Sequence, residues 1–160
     1  MKTKVVITGV SGRMGLALLE GVFADEALTL HAAIDREGSG MIGQDAGTQF
    51  GIDSGVKVTS DFNSALKNAD VLIDFTRPEA AMQYLKACQQ ANVNMVIGTT
   101  GFTEQEKKQI VETAKIIPIV FAPNMSVGVT LLINLVEQAA KVLSEGYDIE
   151  VVEMHHRHKV

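Results

Sequence analysis

Apolar positions along the chain switch between two rhythms. Lys4-Val5-Val6-Ile7-Thr8 is a short β-branched run, and beyond a glycine-rich turn Leu16, Leu18, Leu19 and Val22 recur at helical spacing. The alternation then repeats. Leu28 to Ile34 reads as a second strand, and Val56 to Thr59 as a short third. A helix beginning near Phe62 follows, with Ser60 or Asp61 as its cap and Asn68-Ala69 as its end. Asp70 to Phe75 is a fourth strand. Pro78, placed as a first helical residue, opens a helix to about Ala91 that keeps Ala81, Tyr84, Leu85 and Cys88 on one face. Asn94 to Ile97 is a fifth strand, Thr103 and Glu106 form a capping box for a helix to about Lys115, and Ile116 to Phe121 is a sixth apolar run. Strands alternating with helices imply right-handed crossovers. The expected fold is α/β, a Rossmann-like doubly wound parallel sheet with helices on both faces.

Two stretches break the rhythm. Glu37 to Gly55, rich in Gly and Ser, has no sustained periodicity and is expected to be a flexible flap. From Val127 onward Val129, Leu131, Leu132, Leu135, Val136, Ala139 and Val142-Leu143 predict a long helix apolar around much of its circumference, which needs more than one neighbour to cover it. Gly146 stops that helix, and Tyr147 to Glu153 predicts a seventh strand.

Composition narrows the class. With 160 residues and 46% hydrophobic content the chain can bury a sizeable core. A net charge of −5 argues against a nucleic acid or an anionic membrane as the main partner. Met1-Lys2-Thr3-Lys4 leads into a run too short for a signal peptide, and no apolar run approaches the ~20 residues that span a bilayer, so a cytoplasmic location is expected. The single cysteine, Cys88, is read as a small packed side chain.

In a doubly wound sheet, ligands sit outside the carboxyl ends of the strands. The informative loops are therefore Gly9 to Gly15, Asp35-Arg36, Phe75 to Pro78, Gly98 to Phe102 and Ala122 to Ser126. The first, Gly9-Val10-Ser11-Gly12-Arg13-Met14-Gly15, turns a strand into a helix and brings unpaired N–H groups to one point, where an anion is favoured. A β-carbon would block both the tight turn and the approach of a pyrophosphate. Its glycines fall at i, i+3 and i+6, so the middle one stands a residue later than in the usual dinucleotide fingerprint. Asp35 lies about 20 residues beyond Gly15, where an acid meets the adenosine ribose hydroxyls. Arg36 is suited to stack on adenine or to pair with a 2′-phosphate. Together these features predict a nicotinamide-dinucleotide site that accepts either cofactor, with a lean to NADH.

Met154-His155-His156-Arg157-His158-Lys159-Val160 gathers imidazole, guanidinium and amine groups in one short run. A metal site lacks a thiolate partner there, and the adjacent cations would repel a divalent ion; no metal is expected. An exposed basic tail is a second reading. The favoured one is an acid and anion-binding centre for a small polyanionic substrate, since histidine gives a proton near neutral pH and neighbouring cations hold carboxylates.

Taken together, GVSGRMG at 9–15, Asp35-Arg36, FTRPE at 75–79, GTTGF at 98–102, APNMSVGV at 122–129 and EMHHRHKV at 153–160 resemble the dihydrodipicolinate reductase family. The resemblance runs the whole length of the chain. It implies hydride transfer from NADH or NADPH to a cyclic dicarboxylate in lysine and diaminopimelate biosynthesis. Gly9, Gly12, Arg13 and Met14, in a loop that includes Val10 and Ser11, would surround the pyrophosphate, with Asp35 and Arg36 at the adenosine ribose. Gly98, Thr99 and Thr100, with Ala122, Pro123, Asn124 and Met125, would flank the nicotinamide. His155 would be the acid near the reacting ring, Lys159 a proton donor and His156 a contact to a substrate carboxylate. Residues 1–126 would form the dinucleotide-binding domain and 127–160 the beginning of a domain for substrate binding and oligomerisation. Family members continue past this lysine into an Asp-Ala-Pro-Ser-Gly-Thr segment and a further lobe that assembles a tetramer. The chain is accordingly expected to be a fragment or a naturally short homologue, to keep cofactor binding with weak or absent turnover, and to associate through exposed apolar surface. Two other readings stand beside this one: another NAD(P)-dependent dehydrogenase of an amino or hydroxy acid, and a non-catalytic dinucleotide-binding module.

Overall fold

The computed structural model describes residues 1–152 and Met154. The chain divides into two compact units, Met1–Pro123 and Asn124–Val160. In the first, six parallel strands form one sheet in the order β3-β2-β1-β4-β5-β6. They are β1 (Thr3–Thr8), β2 (Leu28–Ile34), β3 (Val58–Thr59), β4 (Val71–Asp74), β5 (Asn94–Ile97) and β6 (Ile119–Phe121). Helices α1 (Arg13–Ala24), α2 (Phe62–Ala65), α3 (Pro78–Ala91) and α4 (Glu104–Thr113) make the crossovers. The expected Rossmann-like order is therefore present.

Strand alternation explains why helices cover both faces. Val6 points to one side of the sheet, where Leu72, Met95 and Ile97 meet Tyr84, Leu85 and Cys88 of α3 and Ile110 of α4. Val5 and Ile7, one residue to either side of it, point to the other, against Leu19 and Val22 of α1. Both clusters are closed, with the central side chains fully buried. The helix starts follow their local signals. Asp61 accepts the Ser64 amide hydrogen at 3.1 Å, Pro78 is at the first turn of α3, and Thr103 with Glu106 closes the capping box of α4.

Three expectations are corrected. Ile116 and Ile117 precede β6 rather than belong to it: their amides bond back to Thr113, and Pro118, which has no N–H, stands before the strand begins at Ile119. The 37–55 stretch is a built loop rather than a loose flap. The carboxylate of Asp45 accepts from the Gly47 and Ser54 amides and the Ser54 hydroxyl, Thr48–Phe50 is a 3-10 turn, and Ala46 is fully buried. Its amide and carbonyl groups also bond to Val56 and Val58, lengthening the contact with β3. The third correction is the seventh strand. Tyr147 to Val152 are exposed and unpaired, because a strand needs a neighbour for its N–H and C=O groups and the second unit's described residues offer one regular element, helix α5 (Val127–Val142); Glu153, the last residue of the expected strand, lies outside the described residues. Ser126 caps α5 by accepting the Val129 amide, yet none of its residues is buried.

Candidate functional site

Because β2, β1, β4, β5 and β6 are consecutive neighbours and all run the same way, their exit loops lie along one edge of the first unit. The β1 exit is the tightest. Gly9 holds φ +64, in the left-handed region that side chains avoid. A β-carbon on Gly15 would come 2.6 Å from the Val10 Cα and overlap the Gly9 carbonyl, so the third glycine lets α1 approach the end of β1. No side chain caps α1 at Gly12, and its first turn carries no acid. An uncapped twelve-residue helix that starts against a glycine turn fits an anionic group without displacing any protein partner. Arg13 and Arg36 are exposed beside it, and Met14 is half exposed. Val10 differs from its neighbours: its side chain is fully buried in the core and its amide bonds to Ile34 at 3.3 Å.

Asp35 ends β2 and is 5% exposed. Its Oδ2 accepts the Ser11 amide at 3.0 Å and the Ser39 hydroxyl at 3.0 Å, while Oδ1 accepts the Arg36 amide at 2.8 Å. Burial pushes its pKa up, but the donors at Ser11, Arg36 and Ser39 together outweigh this and hold it below the usual carboxylate range. The carboxylate thus anchors the glycine loop to the end of β2. A ribose diol arriving there would meet an acceptor already held in place by backbone, with the rotatable Ser39 hydroxyl the easiest donor to replace.

At the centre of the edge is a group that sequence reasoning missed. Asp74, the last residue of β4, is fully buried and has three hydroxyl donors: Thr8 at 2.6 Å and Thr76 at 2.7 Å on Oδ1, and Thr99 at 2.8 Å on Oδ2. The available signal was an acid closing the apolar run Val71-Leu72-Ile73. Thr99 is 3% exposed and turns its hydroxyl inward, whereas Thr100 is exposed. Gly98 is fixed by packing, since a β-carbon there would overlap the Phe75 ring. Ala122 donates to the Ile97 carbonyl at 3.2 Å and so stays at the end of β5, with Pro123 next to it. Asn124 and Met125 belong to the second unit, where the Asn124 side-chain Oδ1 accepts the Ser126 amide at 3.0 Å. His155, His156 and Lys159 lie outside the described residues.

A parallel sheet ordered 3-2-1-4-5-6, with a glycine turn and an open helix start at β1 and an acid at the end of β2, defines a Rossmann-type fold, the class built around dinucleotide-binding crevices. The family models for dihydrodipicolinate reductase match both parts of the chain, the N-terminus at residues 3–125 and the C-terminus at residues 128–160. The chain belongs to the dihydrodipicolinate reductase family. It is 58% identical over 160 residues to the 4-hydroxy-tetrahydrodipicolinate reductase of Thiobacillus denitrificans, a match over 100% of this chain and 60% of that protein. Against the enzyme of the same name from Chromobacterium violaceum it is 54% identical, again over 100% of this chain and 60% of the other. Among solved structures, dipicolinate-bound dihydrodipicolinate reductase from Paenisporosarcina sp. TG-14 superimposes with a TM-score of 0.72 at 30% identity, covering 88% of this chain and 54% of that one. The chain thus spans about three fifths of the length of these curated relatives. No helix among the described residues is long and apolar enough to cross a membrane.

Proposed function

We propose that this chain carries the nucleotide-binding half of an NAD(P)H-dependent 4-hydroxy-tetrahydrodipicolinate reductase, acting in lysine and diaminopimelate biosynthesis in the cytoplasm. The observation that carries the reading is the uncapped start of α1 folded against Gly9 and Gly15, next to an Asp35 carboxylate already oriented by the Ser11 amide. Backbone N–H groups at Gly12, Arg13 and Met14 would take the pyrophosphate, supported by the α1 dipole. Asp35 and Arg36 would hold the adenosine ribose, the acid accepting from its hydroxyls and the guanidinium accommodating a 2′-phosphate.

That arrangement directs the other half of the cofactor across β1 toward β4 and β5. There Gly98, Thr99 and Thr100 would border the nicotinamide, together with Ala122, Pro123, Asn124 and Met125. The bound cofactor supplies a hydride. The chain's own share is a proton and charge neutralisation: His155 as the acid near the reacting ring, Lys159 as a second proton donor and His156 on a substrate carboxylate. The Paenisporosarcina enzyme is dipicolinate-bound, which supports a small dicarboxylate as the substrate class. In the full-length protein the second domain would complete the substrate pocket and a homotetramer.

Calorimetric titration of the chain with NADH and NADPH tests the proposal. Saturable binding of one nucleotide per chain is expected, with NADH at least as tight as NADPH. A heat profile indistinguishable from dilution for both would overturn it, and a hundredfold preference for NADPH would overturn the assigned role of Asp35.

A further inference from the structure

Asp74 is buried completely, and among the described residues its side chain has no cationic hydrogen-bond partner but three hydroxyl donors, one at the end of β1 and two in the β4 and β5 exits. Thr8 closes β1 immediately before Gly9. Thr76 stands in the β4 exit, with its methyl 3.0 Å from where a β-carbon on Gly9 would be. Thr99 lies in the β5 exit between Gly98 and Thr100. A carboxylate accepts hydrogen bonds through both oxygens, and one carboxylate in this position ties three loops together. A hydrophobic residue in its place would pack the core without fixing any of them. Each threonine hydroxyl has one hydrogen, and at 2.6–2.8 Å that hydrogen is directed to Asp74, so the β5 exit is held in one orientation from beneath.

Resting on the nucleotide reading above, we propose that Asp74 is a positioning residue for the nicotinamide half of the site. It acts through Thr99 on the β5 exit and, separately, through Thr8 and Thr76 on the glycine loop. The two arms make different predictions. The glycine loop serves the pyrophosphate, which NADH shares with ADP-ribose; the β5 exit serves the part that ADP-ribose lacks.

Thr99→Val keeps the side-chain shape and removes the donor, whereas Thr99→Ser keeps the donor. Titration of the full 160-residue chain with NADH and with ADP-ribose should show Thr99→Val losing about tenfold in NADH affinity while ADP-ribose stays within twofold (about 1.4 kcal/mol per tenfold). Thr99→Ser should restore NADH binding. Thr76→Val, whose methyl abuts the glycine turn, should weaken both nucleotides alike. If Thr99→Val does not fold, Thr99→Cys, with its weak S–H donor, takes its place under the same expectations. Wild-type NADH affinity in the valine variant, or equal loss of both nucleotides, overturns this inference while leaving the nucleotide site intact. A wild-type chain that binds neither nucleotide overturns the function proposed above and this inference with it.

Discussion

Two glycines of one helix should respond to the same substitution with opposite signs. Gly15 and Gly21 both lie in α1, and replacing either by alanine removes the conformational entropy that glycine loses on folding, a gain of roughly 0.5–1 kcal/mol. At Gly21 nothing lies within 4 Å of the new methyl, so that gain stands alone. At Gly15 the methyl overlaps the Gly9 carbonyl and comes 2.6 Å from the Val10 Cα. Both obstacles are backbone, and the Val10 amide bond to Ile34 holds that backbone in place. Overpacking of this kind costs about 1–3 kcal/mol, and with no flexible side chain to yield, the upper end applies. The expected net effect is a loss of about 2 kcal/mol for Gly15→Ala and a gain of about 0.5–1 kcal/mol for Gly21→Ala. For a unit of this size each kilocalorie is worth about 3–5 °C at the melting temperature. Urea unfolding followed by circular dichroism, with calorimetry on the same samples, measures both. Gly15→Ala as stable as wild type, or Gly21→Ala clearly less stable, would refute the claim that close helix–strand approach, rather than helix propensity, selects glycine at position 15.

Two further outcomes follow from the buried titratable groups. The folded pKa of Asp35 lies below its unfolded value, so its contribution to stability is complete above the unfolded carboxylate range and is lost as the pH falls through the folded value. The difference in unfolding free energy between wild type and Asp35→Asn should therefore be constant near neutrality and shrink on acidification below about pH 4; a difference independent of pH would sink the anchoring role given to that carboxylate. Cys88 is pushed up to about 12 by burial, with the charge of Asp74 adding to the effect. A thiol reagent at pH 8 should leave it unmodified in the native chain and label it only in denaturant, and rapid native labelling would show that the sheet face under α3 is open.

Local chemistry with a short reach was legible in the sequence. Pro78, Asp61 and the Thr103–Glu106 pair act within one helical turn, and the structure has all three where their spacing put them. The parallel, doubly wound class followed from alternation and crossover handedness, both consequences of backbone stereochemistry. Features that depend on partners distant in sequence were hidden. Asp74 reads as an ordinary end to a strand until Thr8 and Thr99, from two other strands, arrive on its oxygens. The 37–55 loop has no periodicity because its order comes from one carboxylate, Asp45, gathering donors around itself. Tyr147 to Val152 shows the reverse error: β propensity without a neighbouring strand gives no strand.

The two buried acids of the exit edge also bear on how a ligand would be received there. Asp35 and Asp74 sit at the ends of β2 and β4, on either side of β1, and among the described residues each is satisfied by hydroxyl or amide donors rather than by a lysine or arginine. A guanidinium in either position would have secured the carboxylate more strongly, but it would have used up the charge and filled the space. Neutral donors leave the edge open and still fix the glycine loop to β2 and the β5 exit to β4 before anything binds. Loops already held in this way do not have to be ordered on association, a saving of about 0.5–1.5 kcal/mol for each side chain that would otherwise be immobilised. Helix α5 presents the opposite case: Leu131, Leu132, Leu135 and Val136 are each more than half exposed, an apolar surface whose stability depends on cover that the second unit's described residues do not supply.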